Sequence, residues 1–365
     1  MGVLVIGMHR SGTSALTGAL ESAGLSVGPT ESLMPADRGN PEGHLELEAV
    51  GDLNDEILVH LGGTWDGPPA LPEGWATDPE MDAFVERARA LVDASFEGNR
   101  FVLKDPRFAL LLPLWRRALL DRFCAIVIVR DPVAVAWSLA LRDGLSTLTS
   151  FALWSSYYRS ALEGLSGLQV HVCNYAALVE SPATVLPDVF AGLADWGELP
   201  GDADVEAAIA RVKPGLQRNT WPRGQLEFEL PAEVSALGKL LGELDGRHDS
   251  FDVGVLPERG WWEHDLLDER RIAGLRLRVA GGEIAERLAD TERERDRLVD
   301  DNRHLEFEAR RRLDLLEDLQ GRLDEAHEEA ELLRLALVTI ESSSVMRSTR
   351  RLRRAYARLR AGLRI

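Results

Sequence analysis

Along the first 145 residues, short continuous apolar runs alternate with stretches whose apolar positions recur every three or four residues. Val3-Leu4-Val5-Ile6 is one such run, ending at Gly7, and after a few polar residues Ala15, Leu16, Ala19, Leu20 and Ala23 follow at helical spacing. The pattern predicts a buried strand, a loop and an amphipathic helix. Two further runs are Arg100-Phe101-Val102-Leu103, leading into Lys104, and Cys124 to Val129, leading into Arg130; each basic residue is followed by Asp-Pro. Helical periodicity covers Ala83 to Phe96, Leu110 to Arg122 and Val133 to Arg142. Continuous apolar strands alternating with helices predict an α/β fold, a parallel sheet covered by helices.

Beyond Trp262 the pattern changes: proline disappears, and Arg, Glu, Asp and Leu take over. From Leu298 a 3,4 spacing runs through Leu305, Leu316, Leu319, Leu323, Leu333 and Leu337 to Ile340, with Asn302 at an a position. A long coiled-coil helix is predicted, and a lone Asn at a favours a parallel homodimer. The other reading is a single solvated helix whose leucines pack on the body. In the last stretch Val345, Leu352, Tyr356, Leu359 and Leu363 form an apolar stripe among eight arginines. Such a segment reads either as a helix lying on an anionic membrane surface or as a disordered solubilising tail. The expected domains are 1–263 (α/β), 264–341 (coiled coil) and 342–365 (basic amphipathic tail).

Charge sharpens this division. Among 365 residues, 60 are acidic and 42 basic, a net charge of −18, and the three segments carry −18, −8 and +8. An acidic body argues against general nucleic-acid binding, which needs a broad basic surface. Cys124 and Cys173 are the only cysteines, too few for a disulfide framework or a zinc site. A cytoplasmic location is expected, with the tail at the inner membrane face. No run approaches the roughly 20 apolar residues of a membrane span.

Within Gly7-Met8-His9-Arg10-Ser11-Gly12-Thr13-Ser14 the glycines stand five apart between strand and helix, the layout of a P-loop-like phosphate-binding loop. It is not a Walker A loop, because Thr13 occupies the lysine position and the cation is Arg10. A P-loop kinase therefore loses weight. Arg10, Lys104 and Arg130 all follow strands, where ligands bind in parallel sheets, so they are expected to converge on one anion site.

On these residues the sequence resembles the sulfotransferase superfamily. Arg10-Ser11-Gly12-Thr13-Ser14 matches the loop that holds the 5′-phosphosulfate of 3′-phosphoadenosine 5′-phosphosulfate (PAPS), and Arg130 with Ser138 matches the pair that grips its 3′-phosphate. An arginine fork and a hydroxyl two helical turns into the next helix suit a phosphate. Asn40-Pro41-Glu42-Gly43, Leu53-Asn54-Asp55, Lys104-Asp105-Pro106-Arg107 and Leu153-Trp154 narrow the resemblance to bacterial members, over residues 1–260. It implies sulfuryl transfer, without a metal, to a hydroxyl of a glycan or glycoconjugate. A small natural product is the alternative acceptor, and a non-catalytic coiled-coil scaffold the alternative role.

The resemblance also departs from its animal members. Lys104-Asp105-Pro106 stands where those enzymes carry Lys-Thr-His, and their glycine- and lysine-rich donor loop has no counterpart. With the usual histidine replaced, Glu42 is the first choice as general base, ahead of Asp105 and His44, while Arg10 and Lys104 are expected to stabilise the leaving group. His9 either touches donor oxygens or packs beneath the loop. Arg107 is expected to pair with Asp105. Trp65, Trp154, Tyr157 and Tyr158 are either an aromatic wall for the acceptor or core.

Overall fold

The computed structural model describes residues 2–36, 43–96, 98, 100–213, 230–279, 282–342 and 350–362. Its strands are β1 (Gly2–Ile6), β2 (Phe101–Lys104), β3 (Phe123–Val129), β4 (Val170–Asn174) and β5 (Gly246–His248). They form one sheet in the order β2-β1-β3-β4-β5, the first four parallel and β5 antiparallel to β4. The fold is mixed α/β, with a mostly parallel sheet covered by helices, as the alternating pattern predicts. Leu4 and Ile6 of β1 enter one apolar core, Val3 and Val5 the other. A strand covered on both faces has no solvent side to alternate toward, hence its continuous apolar run.

The first six α-helices among the described residues are α1 (Thr13–Ser22), α2 (Glu48–His60), α3 (Asp82–Phe96), α4 (Phe108–Leu119), α5 (Pro132–Asp143) and α6 (Thr147–Gly164). Both Asp-Pro pairs turn the chain from strand to helix. Asp131 accepts a hydrogen bond from Ala134 N at 3.0 Å and Pro132 opens α5, a side-chain cap with proline at the first helical position. Asp105 accepts from Arg107 N at 2.7 Å just before α4. The apolar pattern gave no sign of β4, which reads Val-His-Val-Cys-Asn with His171 buried, or of β5, three residues long.

The chain continues through α7 (Tyr175–Glu180), α8 (Pro182–Asp195), α9 (Val205–Arg211), α10 (Ala232–Glu243), α11 (Trp261–Val279), α12 (Gly282–Ser342) and α13 (Arg350–Gly362). One compact unit spans Met1–Arg297 and a second Leu298–Ile365. In the first, α11 is anchored by Leu267, buried in the core, and by Arg270, whose Nε and Nη2 reach Asp66 Oδ2 at 3.0 and 2.6 Å. In the second, Leu298, Leu316, Leu319, Leu323, Leu333 and Leu337 of the heptad seam are exposed on the single chain. The side chains of Asn302 and Leu305 lie outside the described residues. Both cysteines are buried free thiols, and burial raises their pKa values, that of Cys173 to about 12; they are core side chains rather than nucleophiles.

Candidate active site

Strand order reverses direction at β1, with β2 on one side and β3 and β4 on the other. A crevice at the carboxyl ends of the strands follows from that reversal, and the loop after β1 sits in it. The resulting cleft, about 340 Å³, is lined by six cations, Arg10, Lys104, Arg107, Arg130, Arg142 and Arg211, and by two carboxylates, Glu46 and Asp143. In a chain of net charge −18 this is a local reversal of sign. The three strand-end cations named from the sequence, Arg10, Lys104 and Arg130, do meet here.

Two residues of the loop take left-handed backbone angles, Arg10 with φ 66° and Gly12 with φ 91°. For a residue with a side chain this costs about 1–2 kcal/mol, so Arg10 must be held from outside. Its Nε donates to Ser138 Oγ at 2.9 Å, and its carbonyl accepts from Arg130 Nη1 at 2.7 Å. Ser138 and Arg130 are thus linked through Arg10. Gly12 is required twice over: besides its φ, a Cβ there would sit 2.1 Å from the Tyr175 ring. A Cβ on Gly7 would lie 2.9 Å from the Ile128 carbonyl oxygen.

The loop residues divide their work. Ser11 is buried; its amide donates to Met8 O at 3.1 Å and its Oγ donates to Tyr158 OH at 3.1 Å, so it ties the loop to the core instead of offering an amide to the cleft. Thr13 and Ser14 open α1 and line the cleft, at the helix end where the dipole favours negative charge. Ser14 Oγ donates to His44 O at 3.3 Å and accepts from Lys104 Nζ at 3.1 Å.

Lys104 is almost wholly buried and also pairs with Glu46, itself buried. Glu46 was not singled out in the sequence, where the neighbouring Asn-Pro-Glu-Gly turn drew attention to Glu42. No local signal marks Glu46: its burial and its lysine partner, 58 positions away, are products of the tertiary fold. Glu42 lies outside the described residues. His44 lines the cleft.

Asp105 is fully buried, and burial raises its pKa against the opposing pull of Arg107. It accepts from Arg107 Nη1 at 3.0 Å, while Asp55 takes the other edge of the same guanidinium, Oδ1 from Nε at 2.7 Å and Oδ2 from Nη2 at 2.8 Å. Burial works against the charge of Arg107, but the carboxylates Asp105 and Asp55 outweigh it and raise its pKa. The expected Asp105–Arg107 pair is present, with Asp105 positioning an arginine that lines the cleft. Arg130 lies 4.9 Å from the Tyr175 ring centroid, and burial lowers its pKa; a cation so placed gains from an incoming anion.

An acceptor wall of four aromatics is not what the fold builds. Trp154, Tyr157 and Tyr158 are buried, donating to Arg130 O at 3.0 Å, Trp65 O at 2.7 Å and Ile128 O at 2.7 Å, so they brace the cleft from behind. Their spacing along α6 turns them into the core. Trp65 alone of the four lines the cleft, its ring 4.5 Å from the His9 ring and 5.6 Å from the Arg142 guanidinium.

His9 lines the cleft while its Nε2 is buried with no hydrogen-bond partner among the described residues. Its pKa lies well below the usual histidine value, first because of burial and then because of Arg142, Arg107, Lys104 and Arg10. A histidine neutral when folded takes up its proton when unfolded, so stability is retained above the unfolded pKa of about 6.5 and falls as pH drops below it. Urea midpoints at pH 7.5 and 5.5 are expected to diverge more in the native protein than in His9→Gln. Equal divergence would remove His9 as a source of the pH dependence.

No family model matches the chain, and no curated protein matches it. Solved structures similar to it at low identity include the following three. A sulfotransferase domain from the curacin biosynthetic pathway is 17% identical with a TM-score of 0.37, over 66% of this chain and 96% of that one. A sulfotransferase domain from the Synechococcus PCC 7002 olefin synthase is 18% identical with a TM-score of 0.38, over 66% and 94%. A sulfotransferase from Mycobacterium avium is 17% identical with a TM-score of 0.32, over 63% and 70%.

Proposed function

We propose that the cleft binds PAPS and that the protein transfers its sulfuryl group to a hydroxyl, that of a glycan or glycoconjugate. The observation that carries this reading is the gathering of six cations around a left-handed loop and a helix N-terminus in an acidic chain. Half-buried Arg130, its charge disfavoured by desolvation, and the start of α1 that lines the same cleft both fit a bound phosphate. Arg10, Thr13 and Ser14 would hold the phosphosulfate end, and Arg130 with Ser138 the 3′-phosphate.

The donor supplies an activated sulfuryl group on a bisphosphate leaving group. The chain supplies fixed positive charge near it: Arg10 is locked by Ser138 and Arg130, and Lys104 by Ser14 and Glu46. Such preorganised charge stabilises developing negative charge without reorganisation during the reaction. Glu46 is the described carboxylate beside the loop that can accept the hydroxyl proton, and Glu42 remains a candidate for the same task. A proton arriving on Glu46 would loosen its hold on Lys104, leaving that cation free to answer negative charge on the leaving group.

Calorimetric titration of the metal-free protein tests the donor class. Binding of 3′-phosphoadenosine 5′-phosphate and none of ATP with magnesium is expected; the reverse would replace this reading with a kinase-like one. Arg130→Ala is expected to raise the bisphosphate Kd at least tenfold, since a hydrogen bond to a charged group contributes about 1.5–3 kcal/mol. Unchanged affinity would remove Arg130 from the phosphate site.

A further inference from the structure

We propose that α13 is an anionic-membrane docking element, independent of the chemistry in the cleft. In its 13 residues, Arg350–Gly362, it carries six arginines and no acid, whereas all 60 acidic residues of the chain precede residue 342. At about 100° per residue, Leu352, Ala355, Tyr356 and Leu359 fall within an arc of about 100°, and all six arginines occupy the rest of the circumference. Leu359 is 67% exposed, and Arg354 and Arg358 are exposed as well. No described helix is long and apolar enough to cross a membrane, so the element would lie on the surface.

The two halves of this helix select the partner together. The arginine arc asks for a dense negative surface, and a lipid headgroup layer and a nucleic acid both provide one. Only the bilayer also offers an apolar layer a few ångströms deeper for Tyr356 and Leu359, at the depth where interfacial helices bury such a stripe. On a duplex those side chains would stay in water. A second copy of α13 is a poor occupant, since pairing along the stripe would bring twelve arginines together with no acid in either segment to offset them.

The test is flotation of the full-length protein with phosphatidylcholine vesicles, with and without phosphatidylserine, alongside anisotropy with a labelled DNA duplex. At least tenfold stronger binding to the phosphatidylserine vesicles is expected, reversed by high salt. Leu359→Gln, which removes apolar area and no charge, is expected to weaken binding about tenfold. Arg354→Glu is expected to weaken it as well, both variants retaining native far-ultraviolet circular dichroism. No vesicle binding, equal binding to both compositions, full binding by Leu359→Gln, or tighter binding to the duplex than to vesicles would each overturn the proposal.

Discussion

Replacing Glu46 with alanine is expected to destabilise the first unit by about 3–5 kcal/mol, the cost of leaving one member of a buried ion pair without its partner. Lys104 is 1% exposed and Glu46 8%, so the pair is largely shielded from water. The Lys104 ammonium would keep the Ser14 hydroxyl as its remaining named contact, which cannot offset a full charge. Urea denaturation at pH 7.5 measures the loss. The double variant Glu46→Leu/Lys104→Met removes both charges and is expected to recover most of it, because an apolar pair of similar volume avoids the desolvation cost altogether. If Glu46→Ala proved as stable as the native protein, the pair would not be the buried contact described here. Bisphosphate binding by the double variant then separates roles: restored stability with weakened binding would place Lys104 in the anion site.

Gly12→Ala is the second large effect. The position combines φ 91° with a Tyr175 ring atom 2.1 Å from where the Cβ would go, so the backbone or the ring must move. The left-handed angle costs about 1–2 kcal/mol and overpacking about 1–3 kcal/mol more. The same movement would carry the start of α1 away from Arg10 and Arg130, and bisphosphate affinity is expected to fall more than tenfold. Gly12→Ala/Tyr175→Ala relieves the clash but not the backbone angle. Tyr175 is itself buried, so its truncation adds a cavity cost; the double variant is expected to lose less stability than the two single variants summed and to lack the Tyr175 contact to Arg130. Native affinity in the single variant would show that the loop's backbone does not form the anion cradle.

These two sites differ in how visible they were before folding. Gly12 stood out because its motif is a local object: strand, glycine pair, helix, within a dozen residues. Arg10, Lys104 and Arg130 were legible for a related reason, since each follows a run of apolar residues and a strand's carboxyl end is where a parallel sheet presents its ligand-binding residues. Glu46 was not, and neither were the second carboxylate on Arg107, Asp55, nor the bracing duty of Trp154, Tyr157 and Tyr158. A glutamate in a polar turn looks the same whether it faces solvent or a buried lysine.

Taken alone, the sequence determined the α/β class, the strands β1, β2 and β3, the helices that follow them and the strand-loop-helix at Gly7–Ser14. Each of these follows from periodicity and turn chemistry acting over a few residues. Tertiary structure decided which charges became partners. Arg10 meets Ser138 across 128 positions and Lys104 meets Glu46 across 58, because sheet order places β1 between β2 and β3 and brings those segments to one crevice. Strand order is a choice among global packings, settled by which faces bury the most apolar surface together, and no short stretch of side chains carries that information.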